Sequence, residues 1–252
     1  MRAPKRWNMR QTASERAEIM TTIALNLQAV HERIQRAAAA ANRAPDSVQL
    51  LAVSKTFDAD AVEAAWQAGA RAFGENFVQE ALDKIAQLRH LAIEWHFIGP
   101  IQSNKTRPIA EHFAWVHGIE REKIARRLND SRPADLPPLN VLIQVNVSGE
   151  ASKSGVSPGE ERALAEVIRT LPHLRLRGLM AIPEPTTDAG LQRQRFALLR
   201  TLQQRLQVED PEVDILSMGM SDDLEAAIAE GATIVRIGTA IFGSRKAANT
   251  GH

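Results

Sequence analysis

The chain has 252 residues, 44% of them hydrophobic, and sets 31 Lys and Arg against 30 Asp and Glu for a formal net charge of +1. That length suffices for one large α/β domain or two small ones with a real core. The charge balance offers no global attraction to nucleic acid or another polyanion. Cysteine and tyrosine are both absent, which excludes a disulfide framework, a thiolate zinc site and a thiol nucleophile, and makes the cytoplasm the simplest compartment. No apolar run approaches the length of a membrane span, and no signal-peptide core is evident.

In chain order, the first sixteen residues carry Arg2, Lys5, Arg6, Arg10 and Arg16 against Glu15 alone. Residues 1–19 therefore read as a basic, disordered extension or a misplaced start ahead of Met20. Ile19, Ile23, Leu27, Val30 and Ile34 are spaced by three and four, which predicts an amphipathic helix ending near Asn42 to Pro45. Strand-like runs then alternate with helical stretches to the end. Strands are expected at 48–55, 71–75, 93–98, 114–118, 139–147, 174–182, 213–219 and 233–238. The run from Leu139 to Val147 is almost continuously apolar, as in strands covered on both faces. Eight βα units in roughly 200 residues predict a single (β/α)₈ TIM barrel over residues 20–245, including an N-terminal helix, with 246–252 as a flexible tail. A doubly wound open sheet is the competing fold. It would need glycines where Ser54-Lys55-Thr56-Phe57-Asp58 stands.

Lys55 ends the apolar run Leu50-Leu51-Ala52-Val53-Ser54-Lys55. Alternation puts Leu51, Val53 and Lys55 on one strand face. If that face is an interior, the amine opens into a pocket where it loses its proton more easily than in water and can attack a carbonyl. The other reading is a strand-end lysine whose stem packs while its head reaches solvent. The seventh strand runs into Ser217-Met218-Gly219-Met220-Ser221, and Ser221 reads as the N-cap of a helix opening with Asp222-Asp223. The free amides there suit an anion if the carboxylates point away; otherwise Ser221 only caps. In the eighth strand Ile234, Arg236 and Gly238 share a face that aims Arg236 inward, and Thr239 adds an amide and a hydroxyl. Arg236 serves either a ligand or a carboxylate beneath the site, because an unpaired buried charge is costly. A lysine on the first strand, an arginine on the eighth and an anion cradle after the seventh and eighth suit one ligand. Pyridoxal 5′-phosphate (PLP) has an aldehyde for Lys55, a ring nitrogen for Arg236 and a phosphate for Ser221, Gly238 and Thr239.

The stretches Leu50–Thr56, Phe73–Glu80, Trp95–Lys105, Ser152–Gly155, Arg177–Pro183, Leu216–Glu225 and Val235–Gly243 closely resemble the pyridoxal-phosphate homeostasis protein family. Its members are single-domain barrels of the alanine racemase N-terminal type, and the resemblance spans about residues 20–245. It implies that Lys55 forms an internal Schiff base with PLP, that Arg236 meets the pyridine nitrogen, and that Ser221, Gly238 and Thr239 hold the phosphate. It also implies Asn76, Met180 and Ser217 as further pocket residues. His96 reads either as a proton donor or as a hydrogen-bonded structural histidine. Phe57-Asp58 stands where many members have Lys-Pro, a change at the pocket rim.

A racemase of this barrel type opposes its lysine with a tyrosine from a second, β-rich domain across a dimer, and related decarboxylases use a cysteine. This chain has neither residue type. An arginine at the ring nitrogen also keeps it unprotonated, which weakens the ring as an electron sink. The expected function is storage, protection or delivery of PLP, with no catalytic residue. The alternative is a PLP-dependent racemase or lyase that uses His96 or a water as its other acid. Lys153 reads either as a transient acceptor during transfer or as a solvated loop lysine. Expected partners are PLP and PLP-dependent apoenzymes, with no nucleic acid and no membrane, for a monomer in the cytoplasm. A metal-dependent barrel is disfavoured, since the seven histidines are scattered without i, i+4 pairing beside carboxylates.

Overall fold

The apolar runs pair with their sequence neighbours and close on themselves. The computed structural model describes residues 13–150 and 154–243. In it α1 (Ala13–Ala40) precedes β1 (Gln49–Val53), α2 (Ala59–Gln67), β2 (Ala72–Glu75), α3 (Val78–Gln87) and β3 (Glu94–Phe97). Then come α4 (Thr106–His112), β4 (Trp115–Ile119), α5 (Glu122–Ser131), β5 (Leu139–Gln144), α6 (Glu161–Arg169) and β6 (Leu174–Met180). The chain finishes with α7 (Ala189–Glu209), β7 (Ile215–Ser217), α8 (Leu224–Ala229), β8 (Ile234–Ile237) and α9 (Thr239–Phe242). The strands form a closed barrel in chain order, and β8 returns to β1 with Gln49 opposite Ile234 and Leu51 opposite Arg236. This is the predicted TIM barrel with its N-terminal helix.

The first helix starts earlier than Met20, so residues 13–19 are helical rather than disordered. Its buried stripe is Ile23, Leu27, Val30 and Ile34, while Ile19 is exposed. The rest of the basic start and the expected tail lie outside the described residues. α1 packs on α2, α8 and α9, which covers the seam where β8 meets β1. Among the described residues no helix is long and apolar enough to cross a membrane.

Strand alternation divides the interior into two regions. Outward residues such as Phe73, Phe97 and Val116 join Phe113, Phe196 and Leu128 in the large core between strands and helices. Inward residues fill the lumen. Near the N-terminal ends of the strands this layer is apolar, with Leu51, Ala72 and Ile234 in one cluster; a second cluster of Trp115, Leu142 and Met180, joined to it through Ile215, extends to the end of β6. Toward the C-terminal ends it becomes polar, with His117, Ser217 and Arg236 buried on the inward face.

One backbone approach is demanding. Gly178 sits where the β5–β6 register shifts and pairs with Ile215 on β7. A Cβ there would lie 1.9 Å from the Ile215 carbonyl oxygen, at a φ of +156°. Gly178→Ala should therefore force β6 and β7 apart and cost about 3 kcal/mol or more. A urea-unfolding midpoint equal to wild type would refute this.

Candidate functional site

The turn after β1 is held from below. Ser54 is buried and donates its amide to the Gly74 carbonyl at 3.0 Å. Lys55 follows, partly buried, and Thr56 then takes a φ of +71°, a region sparsely populated by residues with a Cβ. The Thr56 amide donates to Glu80 Oε1 at 2.6 Å, and the Phe57 amide closes the turn on the Ser54 carbonyl at 3.1 Å. Beneath it Lys84 Nζ donates at 2.7 Å to each of the Ser54 carbonyl, Glu75 Oε1 and Glu80 Oε1. Ser54 Oγ also donates to Glu75 Oε1 at 2.6 Å. Burial pushes the Glu75 carboxyl above the ordinary carboxylate range, with Lys84 pulling the other way. Glu75, Glu80 and Lys84 were not singled out from sequence. Glu75 and Glu80 lie inside one of the quoted motifs, but Lys84 looks like any helix lysine.

Across the β1–β8 seam, Arg236 points inward as alternation predicts. Its Nη1 donates to the Ser217 carbonyl at 2.6 Å and Ser217 Oγ at 2.8 Å, and its Nη2 to the Ala181 carbonyl at 2.8 Å. These partners are neutral oxygens; among the described residues no carboxylate pairs with Arg236 from beneath. Burial pushes its pKa down to about 10, and the Asp223 carboxylate acts in the opposite direction. The guanidinium thus stays charged at neutral pH.

After β7 the local prediction needs correction. Ser221 does not cap a helix opening at Asp222; Ser221–Asp223 form a turn, and α8 begins at Leu224 with Asp223 at its N-cap position. Asp223 turns back instead, accepting the Met220 amide at 2.6 Å, so this carboxylate is committed to the backbone. After β8, Gly238 opens α9, whose first amides have no partners within the helix. A Cβ on Gly238 would lie 3.1 Å from the Val53 carbonyl, so the glycine brings this turn against the end of β1. Phe57 stacks on Phe242 with ring centroids 4.9 Å apart, tying α9 to the Lys55 turn.

Asn76 follows β2, and its Oδ1 is buried without a hydrogen-bond partner among the described residues. Met180 ends β6 in the lumen, in register with Ser217. Lys55, Asn76, Met180, Ser217, Ser221, Arg236, Gly238 and Thr239 thus all lie at the C-terminal ends of strands or just beyond. Lys153 lies outside the described residues. Its neighbours meet the same rim, through Gly155 N–H to Glu120 Oε2 at 3.0 Å and Gln144 Nε2 to the Ser154 carbonyl at 3.3 Å.

His96 lies deeper, at the level of Trp115, on which it stacks with parallel rings. Its Nδ1 meets His117 Nε2 at 2.9 Å and its Nε2 meets Glu94 Oε1 at 2.9 Å. His117 Nδ1 in turn meets Ser217 Oγ at 2.9 Å. Burial lowers the pKa of both histidines, His117 most strongly, with His96 and Arg236 adding to the effect. Among the described residues no group of His, Asp and Glu is arranged to hold a metal ion. A separate hollow of about 380 Å³ at the other end of the barrel, beside His31, Gln49 and Arg71, contains none of the predicted site residues.

The profile of the alanine racemase N-terminal domain family matches residues 25–246. The pyridoxal phosphate homeostasis protein of Pseudomonas aeruginosa is 64% identical over 226 residues, covering 90% of this chain and 97% of its own length. PipY of Synechococcus elongatus, whose structure has PLP bound, superposes with a TM-score of 0.75 at 37% identity, over 88% of this chain and all of its own. Alanine racemase from Corynebacterium glutamicum shares the fold at a TM-score of 0.68 and 18% identity, over 92% of this chain but 64% of the racemase.

The two buried histidines make stability depend on pH with a definite sign. Their folded-state pKa values lie below the ordinary 6.5, so the unfolded chain takes up protons first as pH falls. Stability should be intact above about pH 6.5 and decline below it, by about 1.4 kcal/mol per pH unit for each ring that stays neutral. His31, lowered by the same cause, adds to the slope. Urea midpoints measured from pH 7 to 5 should fall, and fall less steeply in His117→Gln. A flat wild-type profile would contradict the neutral buried rings.

Proposed function

The chain belongs to the pyridoxal phosphate homeostasis protein family, and on that basis we propose that it binds PLP and holds it for storage, protection or delivery. Arg236 carries the reading. A guanidinium has five N–H donors, and three hydrogen bonds to neutral protein oxygens account for this one. The remaining donors and the buried Asn76 Oδ1, without a partner among the described residues, fit a polar ligand at the barrel mouth.

In this reading Arg236 would donate to the pyridine nitrogen, and Lys55 would hold the aldehyde. Ser221, Gly238 and Thr239 would hold the phosphate, helped by the free amides that open α9. Asn76, Met180 and Ser217 would line the pocket. Bound there, PLP supplies an aldehyde that condenses reversibly with a primary amine. The pinned turn around Lys55 limits where that amine can reach, and the Phe57–Phe242 stack keeps the phosphate end beside it.

We infer a carrier rather than a catalyst. A racemase needs an acid on each face of its substrate, and this chain has no tyrosine or cysteine for the second face. His96 is a poor substitute, since both its ring nitrogens are engaged by Glu94 and His117. A charged arginine at the ring nitrogen also disfavours the protonated ring that stabilises carbanions. Delivery to PLP-dependent apoenzymes, by a cytoplasmic monomer, completes the proposal.

Added PLP should turn the protein yellow, and borohydride should fix the cofactor's mass on the Lys55 peptide. Lys55→Ala should abolish both signals, and label on another lysine would remove Lys55 from the role. Arg236→Ala should weaken binding about 10- to 100-fold, the scale of a lost charge-assisted hydrogen bond, and shift the absorption band. Holo-protein should load an apoenzyme in the presence of a trap for free PLP. Sustained turnover of any amino acid in a panel would overturn the carrier reading.

A further inference from the structure

A single file of hydrogen bonds leaves the floor of the pocket and crosses the lumen to the other end of the barrel. It runs from Arg236 Nη1 to Ser217 Oγ at 2.8 Å, then to His117 Nδ1, His96 Nδ1 and Glu94 Oε1 in three steps of 2.9 Å each. The chemistry of the two ends sets its direction. A guanidinium can only donate, and a carboxylate can only accept. His96 must therefore place its proton on Nε2, toward Glu94. A neutral imidazole has one donor and one acceptor, so His96 Nδ1 accepts from His117 Nε2–H. His117 Nδ1 then accepts, and the one proton of the Ser217 hydroxyl is committed to it. Ser217 Oγ is left facing Arg236 with lone pairs only. Reversing any link would set two donors or two acceptors against each other in a buried space.

Independent features hold this order. The rings are fully buried and burial disfavours their charged forms. His96 is stacked on Trp115 at 5.4 Å with 1° between the ring planes, which fixes its orientation. Its hydrogen bond lowers the pKa of Glu94, which remains an acceptor at neutral pH while its side chain is 44% exposed at the far end of the barrel.

We propose that Glu94, His96 and His117 are positioning residues that act on Arg236 through Ser217. By directing the Ser217 proton away from the guanidinium, they keep that hydroxyl an acceptor and leave the free N–H groups of Arg236 aligned for the ring nitrogen of the ligand. The final step rests on PLP being that ligand; the fixed order of the relay does not. Remote as it is, Glu94 then tunes the pocket from the opposite face of the barrel.

Nitrogen-15 NMR of histidine-labelled protein, without added cofactor, tests the order directly. Wild type at pH 7 should show both His96 and His117 as neutral rings protonated on Nε2. Glu94→Ala should mix the tautomers, whereas Glu94→Gln, which retains an acceptor oxygen, should preserve them. With PLP added, Glu94→Ala should lose about tenfold in affinity, the scale of one misdirected hydrogen bond, and shift the absorption band; Glu94→Gln should restore both. An imidazolium or an Nδ1-protonated ring in wild type would overturn the relay. Mixed tautomers in Glu94→Ala with unchanged affinity and band would overturn the positioning role. Expected tautomers in a protein that takes up no PLP would support the relay and refute the ligand assignment alone.

Discussion

The burial of one positive charge, on Arg236, governs the arrangement of this barrel. Removing a guanidinium from water costs several kcal/mol even after the surroundings relax. Among the described residues the protein offsets that cost through neutral oxygens of Ser217 and Ala181, supplied at the ends of β7 and β6. That solution requires β6, β7 and β8 to keep a fixed register, which the pairing of Met180 with Ser217 and the bond from Met218 N–H to the Ile234 carbonyl secure. It also divides the lumen. The apolar layer of Leu51, Ala72, Leu142 and Ile234 fills the lower half, and the upper half remains polar, with His117, Ser217 and Arg236 buried on the inward face.

The opposite side of the mouth is held by a different device. Thr56 accepts a backbone conformation that costs on the order of 1–3 kcal/mol, and the buried Lys84 with Glu75 and Glu80 keeps it there. Such an ion pair is weak evidence for stability, because desolvation consumes much of its attraction. Its value lies in geometry: Lys84 grips the carbonyl of Ser54, the residue immediately before Lys55. In the role proposed for it, Lys55 would gain more from a rigid base than from a flexible one, since each frozen torsion is a cost removed from binding. The Phe57–Phe242 stack ties α9 to the same turn at the rim.

Much of this was legible in the chain. Alternation along β1 and β8 placed Leu51 and Arg236 inward because side chains on a strand have only two directions to choose between. Eight strand-like runs separated by helical patterns left few topologies open, and the rule that parallel crossovers are right-handed removes most of the rest. Signals of local start and stop were weaker. Ser221 looks like a helix cap, but Asp223 forms a competing bond to Met220 N–H and the helix begins later. The apolar run to Val147 outlasts β5, which ends at Gln144, and beyond it Val145 is paired only through an isolated bridge to Val156, because apolar content marks burial and not strand length.

What the sequence determined by itself was the periodic part: strands and helices in order, the inward side of each strand, the absence of cysteine and tyrosine, and the end of the barrel where Lys55 and Arg236 emerge. Only the closed tertiary structure decided which inward side chains meet. Glu94, His96, His117 and Ser217 are spread over more than a hundred positions, on β3, β4 and β7, and they touch because the barrel folds the last of these strands across from the others. Lys84 becomes a buried anchor for the same reason, since the fold brings it to the Ser54 carbonyl after β1 and to Glu75 on β2. Contacts of that kind depend on closure of the whole sheet, and no periodicity within a single element records them.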